Sequence, residues 1–262
     1  MSLFVERLGK GVPLVMIHGW GLNSSVWQPV QKSLSKDFEL YMVDLPGHGR
    51  SPLETENYSL DALADQLLPH LPDKAHWLGW SMGGLLAQHV ALTQPKRIDR
   101  LVLVGSNAQY TRDEHWSYAM DKAVLEQFAE GLAKDYKTTL KRFLAIQALG
   151  SEGARQIVKV LNEHMQAYGF PDTRALDGGL TLLRNSSFVE RLNNIKQTSL
   201  LMFGRLDTLA PAVAAEPMSQ AMPDAQAYIF EHGAHAPFIS HPDEFVTVLR
   251  EFLLAQVLER KS

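Results

Sequence analysis

The chain has 262 residues, is 45% hydrophobic and carries a formal net charge of -4. It is therefore long enough for one large α/β domain with a sizeable core, and it has no overall basic field to draw nucleic acid or an anionic membrane. The absence of cysteine excludes disulfides, thiolate zinc sites and a cysteine nucleophile, and suits a reducing compartment.

No stretch approaches the roughly 20 apolar residues of a membrane span. The first apolar run, Val12 to Ile17 behind Arg7 and Lys10, is broken by Pro13 and is too short for a signal core, so a cytoplasmic protein is expected. Along the chain, short apolar runs bounded by turn residues occupy 14–17, 40–43, 76–78 and 101–104, with longer amphipathic stretches after the second and third. Runs that are apolar throughout, rather than alternating, are what a parallel sheet covered on both faces requires. The pattern predicts an α/β fold with a mostly parallel, doubly wound sheet. From Gln109 to Lys196 the signature changes to helical periodicity, over 124–136, 138–149 and 154–168, with no convincing strand. Gly150-Ser151-Glu152-Gly153 and Gly169-Phe170-Pro171-Asp172 read as turns ending these helices. The block 109–196 is thus expected to be a helical cap inserted into a core domain made of 1–108 and 197–262. Strand-like runs return at 199–203 and 227–230, each followed by a loop and then helical periodicity.

Chemistry gathers on the loops behind these runs. After 76–78 comes Gly79-Trp80-Ser81-Met82-Gly83, followed by Gly84. Serine alone is a poor nucleophile. A sharp strand-to-helix turn presents its hydroxyl away from the sheet, and such a turn has no room for side chains two residues to either side. Chance alone would produce the pattern about one time in ten in a chain of this length, so its partners carry the argument. The oxyanion formed on attack needs two backbone N–H donors. Met82 offers one, and Trp20 in His18-Gly19-Trp20-Gly21, just behind the run 14–17, offers the other, with His18 holding the loop's shape. A carboxylate and a histidine should follow the serine in that order. Asp207 in Gly204-Arg205-Leu206-Asp207 follows 199–203. His232 and His235 both lie on Glu231-His232-Gly233-Ala234-His235 after 227–230, and spacing does not choose between them. Asp44, ahead of the nucleophile, reads as a turn brace, and His241 as part of the start of the last helix. Trp20, Leu22, Trp80, Met82 and Phe143 point to an apolar mouth.

Together these segments resemble the α/β-hydrolase superfamily across nearly the whole chain. A closer likeness is to the pimeloyl-[acyl-carrier protein] methyl ester esterases of biotin biosynthesis. It is carried by His18-Gly19-Trp20-Gly21-Leu22-Asn23, Trp77-Leu78-Gly79-Trp80-Ser81, Arg142-Phe143-Leu144-Ala145-Ile146-Gln147 and His235-Ala236-Pro237-Phe238-Ile239-Ser240-His241-Pro242. The resemblance implies that His235, not His232, completes a set with Ser81 and Asp207, and that neither cofactor nor metal takes part. It further implies that Trp20, Ser81, Met82, His235 and the cap residues Phe143, Leu144, Ala145, Ile146 and Gln147 line the acyl site. Met82 stands where the family pattern has leucine, an exchange that a backbone donor tolerates.

The same resemblance implies an acidic acyl-carrier protein as partner, and hence a basic docking face on a chain of negative net charge. Between Tyr136 and Val160, Lys137, Lys141, Arg142, Arg155 and Lys159 are opposed by Glu152 alone. Lys137 with Lys141, and Arg155 with Lys159, are four apart, so each pair shares a helix face. The expectation is a monomeric serine esterase that opens a methyl ester without nucleic acid or membrane partners. A broad short-chain carboxylesterase and a carbon–carbon bond hydrolase share these segments, and a ligand receptor on the same fold is the non-enzymatic alternative. Serine in the elbow disfavours relatives that use an aspartate nucleophile.

Overall fold

The computed structural model describes residues 3–55 and 57–255. Its elements run β1 (Val5–Leu8), β2 (Val12–Ile17), α1 (Gln28–Leu34), β3 (Phe38–Val43), α2 (Leu60–Leu67), β4 (Ala75–Trp80), α3 (Met82–Thr93), β5 (Ile98–Val104), α4 (Lys122–Gln147), α5 (Ala154–Gln166), α6 (Thr173–Asn185), β6 (Thr198–Gly204), α7 (Ala215–Ala221), β7 (Ala225–Phe230), α8 (Pro237–Ser240) and α9 (Pro242–Leu254). The strands form one sheet in the order β1-β3-β2-β4-β5-β6-β7. All neighbours are parallel except β1 with β3.

The central strands are almost wholly buried because helices cover both sides. All six residues of β4 are buried; α2 packs on α3, and α1 packs on α9. Right-handed crossovers place α1 and α3 on opposite faces, since β2 to β3 and β4 to β5 move in opposite directions along the sheet. That reversal between β2 and β4 is a topological switch point, where loops at the strands' C-terminal ends leave a crevice. β1 has no counterpart in the expected runs. Its half-exposed Val-Glu-Arg-Leu is an antiparallel edge strand, which needs no continuous apolar run.

Between β5 and β6 no strand of the sheet occurs among the described residues. An isolated bridge, Gln109 to Ser187, closes the neck of this segment. The long α4 is two helices joined at Asp135, whose backbone leaves the helical region (φ -154, ψ 90). The Asp135 carboxylate accepts from the N–H of Thr138 at 3.2 Å and from its hydroxyl at 2.6 Å, capping the second half. Two helices were expected here, with the break two residues later. α6 was hidden by Gly178-Gly179, which lower helix propensity yet allow close approach. A Cβ on Gly178 would stand 2.5 Å from Tyr58, and one on Gly179 2.6 Å from Trp20 and 2.9 Å from Met82 Sδ. Among the described residues no helix is long and apolar enough to cross a membrane.

Candidate active site

Ser81 sits between the last residue of β4 and the first of α3. It is the only non-glycine among the described residues with positive φ (φ 55, ψ -122). Such a conformation stores on the order of 1–3 kcal/mol and persists only where the surroundings impose it. Here they do. A Cβ on Gly79 would lie 2.4 Å from the Gly83 carbonyl oxygen, one on Gly83 2.4 Å from the Ile17 oxygen, and one on Gly84 2.2 Å from Ser106 Oγ. The Ser81 N–H donates to the Val104 carbonyl at 2.9 Å, so β5 fixes the turn from the other side.

Asp207 follows β6 and His235 follows β7. The structure pairs them: Nδ1 of His235 donates to Asp207 Oδ2 at 2.7 Å, and His235 is 1% and Asp207 5% exposed. The other carboxylate oxygen accepts the N–H groups of Leu209 (2.8 Å) and Ala210 (2.9 Å). With Nδ1 donating, the imidazole keeps Nε2 free to take a proton. His232, the other candidate, is exposed. Trp80 packs on Phe238 and its indole N–H donates to the His235 carbonyl at 2.7 Å. It supports the histidine loop from inside the core instead of lining a mouth. Ser81 itself is 4% exposed, and among the described residues its hydroxyl has no hydrogen bond to the imidazole. Bonds of this type commonly tighten only when substrate is bound.

The loop after β2 closes against the elbow, with the Cβ position of Gly19 3.1 Å from Ser81 Cβ. His18 accepts the Leu45 N–H on Nε2 (3.0 Å) and so donates from Nδ1 to the Gly19 carbonyl (2.8 Å). His48 Nε2 accepts the Gly21 N–H at 3.4 Å. These bonds grip both sides of Trp20. Met82 N–H is the first of its helix and has no intrahelical acceptor; among the described residues neither it nor Trp20 N–H has a protein partner. Burial lowers both imidazoles: His18 falls below its ordinary value, and His48, with His18 adding repulsion, falls to about 3. Both are neutral, as their accepted N–H bonds require. Asp44 braces the adjoining turn, accepting from Ser24 N–H, Arg50 N–H and Arg50 Nε. Burial by itself would raise its carboxyl, but Arg50 and Ser24 outweigh burial and hold it below the usual value. His48 carried no local signal of its role, because the partner it holds lies 27 residues away.

Above these loops lies the segment between β5 and β6. Trp20 donates its indole N–H to the Leu176 carbonyl of α6 at 2.8 Å, and its ring meets Phe143 edge-on at 4.8 Å. Gln147 is buried with both side-chain amide atoms unpartnered, while its main-chain carbonyl accepts the His235 N–H at 3.1 Å. The five consecutive cap residues Phe143 to Gln147 do not share one face of the helix. A helix turns about 100° per residue, so Phe143 and Gln147 share one face, whereas Ala145 is exposed and Ile146 half-buried. Leu144 turns toward α5, where with Lys141, Arg155, Val158, Lys159 and Asn162 it lines a groove of about 320 Å³. Three of the five expected docking cations therefore share one groove. Arg142 is exposed beside it, and Lys137 lies over the Phe170 ring at 5.0 Å.

A family model described as "alpha/beta hydrolase fold" matches residues 12–242. Two curated relatives, both named pimeloyl-[acyl-carrier protein] methyl ester esterase, are similar over nearly their full length. The one from Aeromonas salmonicida is 42% identical, covering 97% of this chain and 100% of the relative. The one from Aliivibrio fischeri is 40% identical, covering 96% and 97%. Among solved structures, an esterase from Exiguobacterium antarcticum superposes with a TM-score of 0.84 at 22% identity, covering 97% of this chain and 96% of the other. An enol-lactonase from Burkholderia xenovorans gives 0.83 at 20%, covering 96% of each. Those structures speak for the fold, which hosts several chemistries. The chain belongs to the α/β-hydrolase family and, within it, to the pimeloyl-[acyl-carrier protein] methyl ester esterases.

Proposed function

We propose that the chain hydrolyses pimeloyl-[acyl-carrier protein] methyl ester to methanol and pimeloyl-[acyl-carrier protein] in biotin biosynthesis, with Ser81, Asp207 and His235 as its catalytic residues. The observation that carries this reading is the buried Asp207–His235 pair, 2.7 Å apart, together with Ser81, the one non-glycine residue of positive φ among the described residues. His235 Nε2 takes the Ser81 proton as Oγ attacks the ester carbonyl; the N–H groups of Trp20 and Met82 hold the oxyanion; His235 returns the proton to departing methanol. Water then repeats the sequence on the acyl-enzyme. Residues 109–196 serve as a cap over a core of 1–108 and 197–262, with Phe143 and Trp20 giving the acyl chain an apolar wall. The buried, unpartnered amide of Gln147 is a ready hydrogen-bonding partner for a bound substrate, since buried polar groups rarely stay unpaired. A free carboxylate costs several kcal/mol to bring into such a site, so the acid product leaves more readily than the ester binds.

For the carrier, the groove lined by Lys141, Arg155 and Lys159, with Arg142 beside it, supplies the basic face that an acidic carrier protein needs; Lys137, stacked on Phe170, is the outlying member. The first test is Ser81→Ala assayed on 4-nitrophenyl butyrate. A fall of about 10⁴-fold or more is expected, and retained activity overturns the assignment. The second compares carrier-bound with free methyl ester after Lys141→Glu and Arg155→Glu. KM for the carrier substrate should rise about tenfold with the free ester unaffected; equal effects on both refute docking at this groove.

A further inference from the structure

Trp80 is the last residue of β4, the chain neighbour of Ser81, and 1% exposed. A buried indole N–H needs an acceptor, and any of several core carbonyls could serve. The one it reaches belongs to His235, at 2.7 Å. The same ring stands 5.5 Å from the His235 imidazole, centroid to centroid. It also packs under the loop that carries Trp20, where a Cβ on Gly19 would lie 3.2 Å from Trp80 Cε3. Phe238, three residues beyond His235, meets the indole edge-on at 4.9 Å, and Trp27 does so at 6.3 Å. One side chain therefore touches the base and the oxyanion loop, and is joined to the nucleophile by a single peptide bond.

We infer that Trp80 is a positioning residue that sets the distance of the His235 imidazole from Ser81. This rests on His235 being the base. Three bonds hold His235: Nδ1 donates to Asp207 Oδ2 at 2.7 Å, its N–H donates to the Gln147 carbonyl at 3.1 Å, and its carbonyl accepts from Trp80. The first fixes the tautomer and the orientation of the ring. The two main-chain bonds fix where the ring is carried, and of these only the Trp80 bond is continuous with the elbow. The Cα of Trp80 is about 3.8 Å from that of Ser81, and an indole has only two rotatable bonds, both confined here by Phe238, Trp27 and Gly19. The ring is thus a stiff spacer between nucleophile and base. A proton passes between Oγ and Nε2 only across hydrogen-bond distance, and a displacement of about 1 Å costs on the order of 10²-fold in rate. His235 moves a proton in acylation and deacylation alike, so losing the spacer slows both steps together. An indole N–H that merely needed an acceptor would matter to stability and not to turnover by the folded enzyme.

The test is Trp80→L-3-benzothienylalanine, introduced site-specifically, which keeps the bicyclic ring and puts sulfur in place of the N–H. On 4-nitrophenyl butyrate kcat should fall about tenfold with KM nearly unchanged. The same replacement is then made in His235→Ala, whose residual turnover comes from the oxyanion donors and binding. There it should alter the rate by less than about twofold, because the group it positions is gone. Equal losses in the two backgrounds overturn the proposal, placing the effect on the elbow or the oxyanion loop. No loss in the native background overturns it too, leaving a bond that serves stability alone. Should the benzothienyl protein fold poorly, lactic acid in place of Ala236 turns the amide after His235 into an ester and makes the His235 carbonyl a weaker acceptor, with Trp80 intact. The Ala236 N–H it removes has no protein acceptor among the described residues. Here kcat should fall about threefold, and an unchanged kcat refutes the role. Full turnover by His235→Ala alone would instead defeat the base assignment, a result told apart from failure of the spacer because it involves no change at Trp80.

Discussion

The loops at the C-terminal edge of the sheet and the helices above them are built on different principles. In the loops, backbone meets backbone: the Cβ positions of Gly79 and Gly83 fall 2.4 Å from carbonyl oxygens, and Asp207, His18 and His48 each hold main-chain N–H groups. In the helices, side chains meet side chains: Phe143 on Trp20, Phe128 on Phe143, Gly179 under Trp20 and Met82. Backbone contacts do not yield, whereas side chains shift rotamer at modest cost. Geometry that must be accurate within a fraction of an ångström therefore belongs to the lower region, and shape that must admit a long acyl chain belongs to the upper one.

Four outcomes would break or sharpen that contrast. The largest is expected for Asp207→Asn, which keeps the shape but lets His235 adopt the wrong tautomer. Turnover should fall by about 10⁴-fold with little change in KM, measured on an activated ester. A change confined to KM would mean that the pair serves binding instead.

Acid stability comes next. His48 is held at about 3 when folded, below its value of roughly 6.5 in an unfolded chain, so the unfolded state takes up the extra proton. Its contribution is fully present above about pH 6.5 and is lost progressively as pH falls toward 3, by about 3 kcal/mol between pH 7.5 and 4.5. Urea unfolding at the two pH values, repeated with His48→Gln, should show a shallower loss in the variant. An identical loss would place the acid sensitivity elsewhere.

Third is Gly83→Ala, whose methyl group would meet the Ile17 carbonyl at 2.4 Å. A destabilisation of at least about 3 kcal/mol is expected by thermal or chemical denaturation, together with loss of activity. The smallest effect belongs to Gly179→Ala in the helical region. The nearest atoms its methyl group meets are side-chain atoms of Trp20 and Met82, so about 1 kcal/mol and a few-fold rise in KM are expected. Should the two alanine variants cost the same, the helices would be as rigid as the loops and the contrast would fail.

Legibility in the sequence followed the same division. The parallel strands were readable because burial on both faces demands continuous apolar runs, and the elbow because its turn demands glycine two residues to either side of Ser81. β1 left no such trace, being an antiparallel edge strand with one face in solvent. α6 was obscured because Gly178 and Gly179, chosen for close approach to Tyr58, Trp20 and Met82, oppose helix propensity.

What the sequence determined by itself was local and periodic: the strand runs, the elbow, the order of serine, acid and histidine, and the position of the helical block. What only the tertiary structure decided was pairing across distance: the 2.7 Å bond that joins His235 to Asp207, Phe143 turned onto the Trp20 ring, and Trp20 joined to Leu176 across 156 positions. The reason is physical. Steric limits on a turn and the alternation of a buried surface act on neighbours and leave a pattern in the residues themselves. A hydrogen bond between distant segments constrains only where two chains meet, and many residues at either end are compatible with it until the fold brings one pair together.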